Sequence, residues 1–497
     1  MWGSKSIMSD FKSFLEKTGE IGRVVGLNHY LAYVSGLPAL KLGEMVITEN
    51  EERGLAHGLD KEMAEILMFD AGKLKVGDGV ARTNNFFQIP VSQELLGRII
   101  NPLGQPIDGL GPISGEKKYL PIQREAPGIT QRVKVNKPLE TGIMVVDLLV
   151  PIGYGQRELV IGDAKTGKTT FLLQALTNQA KKGVICVYVG IGKETSAVKT
   201  VEDYLKEMKV FDKTVMVIAT SENPSTINYL SPFSGMTVAE YFRDRGEKVL
   251  IIFDDLTSHA KFYREISLLA KRVPGRSSYP SDIFHIQAAL LERAGNIKTP
   301  DNKEASITAL PAAETLENDI SGFIQTNLMA MTDGHIFFDI NDFRKGQRPA
   351  INAFLSVSRV GNQTKEPLDR DLAGWIRRRL VEYQRIMEIA QFGGELPVVT
   401  LKLLDLGKKL EITFNQGPKT IIPRALQLLL LGLLLSGFWE DKPQNIMKIE
   451  IDTILKNYKE LFPEAEKEME RIKNLEELKN FAEEIIPKVK EILYRPL

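Results

Sequence analysis

The chain has almost no cysteine, no excess charge of either sign and no long apolar run. Its one cysteine, Cys186, cannot make an internal disulfide, which excludes a disulfide-built scaffold and fits a reducing compartment. Cys186 lies in the apolar run Gly183-Val-Ile-Cys-Val-Tyr-Val189, where a thiol behaves as a small core side chain. Basic and acidic residues both number 64, so the net charge is zero and gives no bulk electrostatic ground for a nucleic-acid partner. The longest apolar stretch, Leu428-Leu-Leu-Leu-Gly-Leu-Leu-Leu435, is far short of the ~20 residues a spanning helix needs. It predicts a helix buried within the protein or between subunits. The opening Met1-Trp-Gly-Ser-Lys-Ser-Ile-Met8 has no apolar segment of signal-peptide length, so no signal or transit peptide is expected. The five histidines form no pair at metal-site spacing, and His259 and His285 are expected to be structural. Low-complexity segments and short-period repeats are absent as well.

What is present is a phosphate-binding loop. Gly162-Asp-Ala-Lys-Thr-Gly-Lys-Thr169 fits G-x-x-x-x-G-K-[ST]. It follows the apolar run Glu158-Leu-Val-Ile161 and precedes Thr170-Phe-Leu-Leu-Gln-Ala-Leu176, which reads as the start of a helix. Strand, loop and helix in that order are the context the motif requires. Gly162 and Gly167 let the backbone turn so that the amides of Asp163, Ala164, Lys165, Thr166 and Thr170 are available to phosphate. The helix N-terminus adds a favourable dipole. Lys168 is expected to reach the β/γ-phosphates, and the Thr169 hydroxyl to ligate Mg²⁺.

At 497 residues the length suggests three or so domains. Residues 1–18 carry Phe11, Phe14 and Leu15 at helical spacing; an amphipathic docking helix and a solvated terminus are both open. Residues 19–91 read as a β-barrel domain, with strands expected at 21–26, 31–34, 44–48, 64–69 and 80–83. Residues 92–372 read as a RecA-like α/β domain, because apolar runs at 184–189, 215–219 and 249–253 alternate with helical patterns. Residues 373–497 read as a helical domain, ending in the charge-rich Glu464-Ala-Glu-Lys-Glu-Met-Glu-Arg-Ile-Lys473.

Two further features carry chemistry. Val249-Leu-Ile-Ile-Phe-Asp-Asp255 is an apolar strand ending in two carboxylates. Downstream of a phosphate loop such a carboxylate holds Mg²⁺, Asp254 being the first choice and Asp255 the second. Arg359 follows the run Pro349-Ala-Ile-Asn-Ala-Phe-Leu-Ser-Val-Ser358. The run alone leaves two readings: a structural ion-pair partner, or a cation given to charge developing on a transferred phosphoryl group.

Several segments together resemble the alpha subunits of F-type rotary ATP synthases. They are Gln123-Arg-Glu-Ala-Pro-Gly-Ile-Thr130, Pro151-Ile-Gly-Tyr-Gly-Gln-Arg-Glu-Leu-Val-Ile-Gly-Asp163, Arg272-Val-Pro-Gly-Arg276, Leu290-Leu-Glu-Arg293, Thr308-Ala-Leu-Pro-Ala-Ala-Glu-Thr315, Thr332-Asp-Gly-His-Ile-Phe-Phe338 and Leu355-Ser-Val-Ser-Arg-Val-Gly361. The resemblance runs from about Gly19 to Gln416 and weakens beyond. It implies three alpha-like and three beta-like chains alternating around a gamma stalk, with a delta or peripheral stalk. The alpha-like chain binds ATP or ADP with Mg²⁺ without turning it over. Arg359 matches the arginine given to the neighbouring beta site, and Ser356 and Ser321 fall in matched segments as positioning residues. The implied setting is the cytoplasmic face of a bacterial-type plasma membrane, reached through an ion-translocating sector that moves protons or sodium.

The departures are specific. Catalytic beta-type chains carry a Gly-x-Gly-Glu-Arg run whose carboxylate positions the attacking water. Here the run is Gly190-Ile-Gly-Lys-Glu-Thr195, with Lys193 where that carboxylate belongs and Glu194 one residue late. A one-residue slip turns a strand side chain elsewhere, so an inactive or very slow site is expected. Ala164 and Lys165 replace the family's Arg-Gln, and Gln416-Gly-Pro418 replaces its Gln-Gly-Gln at the adenine pocket. Gln416 keeps the capacity to hydrogen-bond the base. An autonomous catalytic ring ATPase, of flagellar or type III export kind, is the alternative, and it requires a carboxylate at 193. A transcription-termination helicase requires a basic, aromatic RNA-binding barrel that the neutral charge does not offer.

Overall fold

The computed structural model describes residues 7–70, 72–390, 397–461, 465–469 and 471–494. Residues 1–6 of the expected N-terminal segment, and 464 and 470 of the charge-rich run, lie outside the described residues. The chain packs as two compact units. One comprises residues up to Val133 with Gly183–Glu314 and Ile320–Thr332; the other comprises Lys134–Lys182, Thr315–Asp319 and the chain from Asp333 on.

The first unit begins with helix α1 (Ile7–Thr18) and six antiparallel strands: β1 (Ile21–Asn28), β2 (Leu31–Ser35), β3 (Glu44–Thr48), β4 (Arg53–Leu59), β5 (Met63–Met68) and β6 (Gly79–Phe86). They close as a barrel in the order β1-β2-β5-β4-β3-β6, leaving no open edge. Closure comes from pairing Ile21 with Ala81 and Arg23 with Gly79. Alternation along β1 points Val24 inward, where it meets Val34, Val46, Ala56, Ile66 and Val80. Of the two readings of the N-terminal segment, the helix is the one formed: half-buried Phe11 lies against β6 at Gly79.

The same unit holds a parallel sheet. Its strands run in the order Ile99–Ile100, Thr214–Thr220, Ile185–Lys193, Lys248–Asp254 and Glu304–Thr315, with Gly295–Lys298 antiparallel on the last. These strands are apolar over nearly their whole length because helices cover both faces of such a sheet. Cys186 is fully buried, as its apolar run implies. The pairing of Gly190 with Asp254 sets the polar ends of the two central strands level.

In the second unit, Glu158–Asp163 pairs in parallel with Gly334–Phe338, which pairs antiparallel with Val357–Ser358. Helix Lys168–Lys181 follows the phosphate loop. The C-terminal part is helical: Pro367–Ala390, Val398–Phe414, Arg424–Leu435, Gln444–Leu461 and Leu475–Leu493 are its long members. The leucine run falls in Arg424–Leu435, where every residue from Ala425 to Leu434 is buried. Gly432 lets Leu475–Leu493 approach: a Cβ there would stand 3.1 Å from the Ala482 methyl.

Candidate functional site

The phosphate loop has the strand–turn–helix form that its sequence predicts. Gly167 sits at the N-cap with φ +102°, a left-handed conformation open to glycine. Gly162 is required by close approach, since a Cβ there would lie 2.4 Å from the Phe338 carbonyl oxygen. Lys165 also adopts positive φ (62°), and Ala164, Lys165 and Thr170 are exposed while Thr166 is buried. Lys168 Nζ donates to the carbonyl oxygens of Gly162 (2.8 Å) and Asp163 (2.7 Å), so its ammonium is held over the loop's own turn. Thr166 Oγ1 donates to the same Asp163 carbonyl at 2.7 Å.

The Asp163 side chain anchors the loop. Its Oδ1 accepts from Thr315 Oγ1 (2.5 Å) and from the Asn318 amide (3.0 Å). Asn318 Nδ2 donates in turn to Asp339 Oδ1 (2.8 Å). Burial alone would raise the Asp339 pKa, but hydrogen bonds from Asn341, Asn318 and Asn352 outweigh it and hold the carboxyl below its ordinary value.

Arg359 stands on a braced segment. Its backbone amide donates to the Asp333 carbonyl at 3.0 Å. The Asp333 carboxylate takes Arg157 in a fork, Nη2 to Oδ1 at 2.8 Å and Nε to Oδ2 at 3.1 Å, and also accepts the Arg157 amide at 2.9 Å. Ser356 Oγ accepts from the Phe337 amide (2.9 Å) and donates to the Asn352 carbonyl (2.7 Å), which pins the turn before Arg359. Ser358 Oγ donates to the Pro151 carbonyl at 2.6 Å. A Cβ at Gly361 would stand 1.7 Å from that same oxygen, so glycine is obligatory there. The Arg359 side chain is exposed and forms no hydrogen bond or ion pair with a described residue. Its charge acts on Glu158, whose carboxyl burial pushes well above the usual range, and whose Oε1 is buried without a partner.

Gln416 is not poised as the sequence suggests. Its Oε1 accepts from the Met144 amide at 2.7 Å, and its Nε2 donates to the Gly142 carbonyl at 3.0 Å. Both ends of the amide hold backbone, so its fold role is to tie its loop to segment 142–144 rather than to offer a free edge to a base. Gln174, which no sequence motif singles out, does the same for the carbonyls of Gly417 and Thr420 at 2.9 Å each.

In the other unit, Asp254 ends its strand and is 4% exposed. Its Oδ1 accepts from Lys193 Nζ at 2.7 Å and its Oδ2 from the Tyr188 hydroxyl at 2.8 Å. Burial opposes the Lys193 charge, but Asp254 and Asp255 outweigh it and hold the lysine above its ordinary value. Asp255 accepts instead from the Ser258 amide at 2.6 Å and caps helix Leu256–Leu269. Glu194 is exposed at the start of the next helix, and no carboxylate takes the place that Lys193 fills. Ser321 is exposed in the turn before helix Phe323–Met331. For Mg²⁺, a half-buried Thr169 at the helix start has suitable chemistry. Asp254, the other residue expected there, has one oxygen facing the Lys193 ammonium and the other accepting from the Tyr188 hydroxyl. Among the described residues no group of three or more His, Cys, Asp or Glu could hold a metal ion.

His259 is fully buried, stacked on Tyr229 with ring centroids 5.5 Å apart, and its Nε2 lies 3.2 Å from the Tyr229 carbonyl. It is a packing histidine; His285 is exposed.

Residues 142–358 match the ATP synthase alpha/beta family nucleotide-binding domain, and residues 363–495 match the C-terminal domain of ATP synthase alpha/beta chains. The ATP synthase subunit alpha of Staphylococcus aureus is 40% identical over 440 residues, covering 88% of this chain and 87% of the relative. That of Staphylococcus epidermidis is 40% identical over 448 residues, covering 90% and 88%. Barrel, phosphate-loop region and helical C-terminal region agree with these matches, and the chain belongs to the ATP synthase alpha/beta family.

Proposed function

We propose that this chain is the nucleotide-holding, non-hydrolysing member of the catalytic head of a rotary ATP synthase. Its phosphate loop, with Lys168 and Thr169, binds ATP or ADP, and its own site turns over slowly or not at all. Arg359 is lent to a catalytic site on a neighbouring beta-type chain, where a guanidinium stabilises the charge of the transferred phosphoryl group. The observation that carries the reading is the pairing of an exposed, unclaimed Arg359 side chain with a firmly clamped backbone. A structural arginine would be satisfied at home, whereas one used across an interface is held ready for a partner. Exposed apolar side chains at Phe354, Leu355 and Val357 flank it, as an interface would require. Lys193 in place of a carboxylate supports the absence of turnover, because an ammonium cannot accept a proton from the attacking water. Ser356 and Ser321 serve as positioning residues. A gamma stalk, a delta or peripheral stalk and a proton- or sodium-translocating sector complete the proposed assembly, and they alone bring the chain to the membrane. Among the described residues no helix is long and apolar enough to cross one.

The test is reconstitution with a catalytic beta-type partner. Arg359→Ala is expected to cut turnover of the complex by roughly a thousandfold or more. ATP binding to the isolated chain stays unchanged. Near-normal turnover in the variant complex, or brisk hydrolysis by the purified chain alone, defeats the reading.

A further inference from the structure

We infer that Asn318 is a positioning residue for Arg359: through Asp339 and Asn352 it ties the turn before the arginine to the phosphate loop, so that the charge offered to a neighbouring site is aimed from the nucleotide cradle. The inference rests on the proposed role of Arg359, and every group in it belongs to one compact unit.

Asn318 stands in an uncommon conformation. Its φ is +61° and that of Glu317 before it is +53°, so two successive residues other than glycine are left-handed. Asparagine enters that region more readily than most side chains, and such backbone persists only where its surroundings over-determine it. Here both the backbone and the side chain of Asn318 are held. Its amide donates to Asp163 Oδ1, at the phosphate loop, at 3.0 Å. Its Nδ2 donates to Asp339 Oδ1 at 2.8 Å, and its Oδ1 accepts from the Ile340 amide at 3.2 Å. The backbone of Asn318 thus belongs to the loop, and its side chain to the start of helix Ile340–Arg344.

Asp339 passes the connection on. Its Oδ1 also takes the Asn341 amide at 2.8 Å, and its Oδ2 takes Asn352 Nδ2 at 3.3 Å. Asn352 Oδ1 accepts the amides of Phe354 and Leu355 at 3.1 Å each. The Asn352 carbonyl accepts the Ser356 amide at 3.1 Å and the Ser356 hydroxyl at 2.7 Å. Ser356 is three residues before Arg359. Asp339 and Ser356 are both buried, so these bonds compete little with water and hold their geometry. The Asp333 carbonyl fixes where the Arg359 backbone passes, and the Asn318 connection fixes how the preceding turn stands to the loop. Such placement matters, because a misplacement of ~1 Å costs on the order of a hundredfold in rate.

The side chain can be removed without disturbing the backbone. Asn318→Gly keeps a left-handed residue, which glycine adopts freely, and keeps the amide that bonds Asp163. It deletes only the bonds to Asp339 and Ile340. The experiment is ATP hydrolysis by the complex reconstituted with a catalytic beta-type partner, with the chain as wild type, Asn318→Gly, Arg359→Ala or both. Asn318→Gly is expected to lower kcat about tenfold with KM within about twofold of wild type. In a complex that already carries Arg359→Ala it is expected to cause no further loss, because it acts through that side chain alone. Asn318→Asp, which sets a second carboxylate against Asp339, is expected to lower kcat at least as far. A kcat for Asn318→Gly within about twofold of wild type, or an equal further loss on top of Arg359→Ala, overturns the inference and leaves the role of Arg359 standing. Near-normal turnover with Arg359→Ala overturns that role and the inference with it. The glycine variant decides even if Asn318→Asp does not fold.

Discussion

At the scale of the residue, the phosphate loop depends on contacts that only small atoms permit. Gly162→Ala would drive a methyl to within 2.4 Å of the Phe338 carbonyl oxygen, and a backbone atom in a paired strand cannot step aside. We expect Gly162→Ala to destabilise the fold by about 1–3 kcal/mol, as overpacking does. Its ATP affinity should fall by more than ~tenfold, read by calorimetry. An unaltered affinity would mean that the strand gives way freely there. The loop itself was legible because eight consecutive residues form one pattern with the right flanks. The partners of Asp254 and Gln416 were not. Lys193 lies sixty-one residues from Asp254, and Met144 lies 272 residues from Gln416. Such pairings are created by strand register and loop docking, which no local pattern encodes. The resemblance assigns Gln416 to the base, and the fold shows its amide held by the backbone of segment 142–144.

Elements are legible where burial alternates or apolar residues run together, and not where neither holds. Strand β1 alternates in burial over Ile21–Val25, and the run read from sequence stops two residues short of its end. Strand β4, Arg53-Gly-Leu-Ala-His-Gly-Leu59, is not legible because its burial does not alternate and only three of its seven residues are apolar. Gly54 is nonetheless a packing requirement, since a Cβ there would meet Ile66 Cγ2 at 2.6 Å. The leucine-rich helix Arg424–Leu435 was recognised as buried for the right reason: an apolar surface on every side admits no solvent-facing edge. That burial makes a quantitative claim. Leu431→Ala, at a position with no exposure, should cost about 2–5 kcal/mol in chemical unfolding. A loss below about 1 kcal/mol would show that the surrounding helices collapse into the space.

For the whole molecule, balanced charge says nothing of pH response, which depends on buried groups. His259 is the clearest. Burial lowers its pKa from 6.5 to about 4, opposed only by the Tyr229 carbonyl. Between those values the unfolded chain takes up a proton at position 259 that the folded chain refuses. Stability is therefore full above pH 6.5 and is lost as pH falls toward 4, by as much as ~1.4 kcal/mol per pH unit from this one group. Denaturant unfolding at pH 7 and pH 5 should show the decline, and His259→Gln should flatten it. An equal slope in both proteins would place the acid sensitivity elsewhere. Neither the burial of His259 nor its stacking on Tyr229 is written in the sequence near either residue, although its structural role was expected from the lack of a second ligand.

Asp333 joins two features otherwise met separately. Its carboxylate grips Arg157, which leads directly into the strand carrying the phosphate loop, and its carbonyl grips the amide of Arg359. On the proposed function, the nucleotide cradle and the arginine offered to a neighbour are thereby fastened to opposite ends of one amino acid. Any communication between the two would need no long relay, for Arg157 and Asp333 join that strand to the Arg359 backbone.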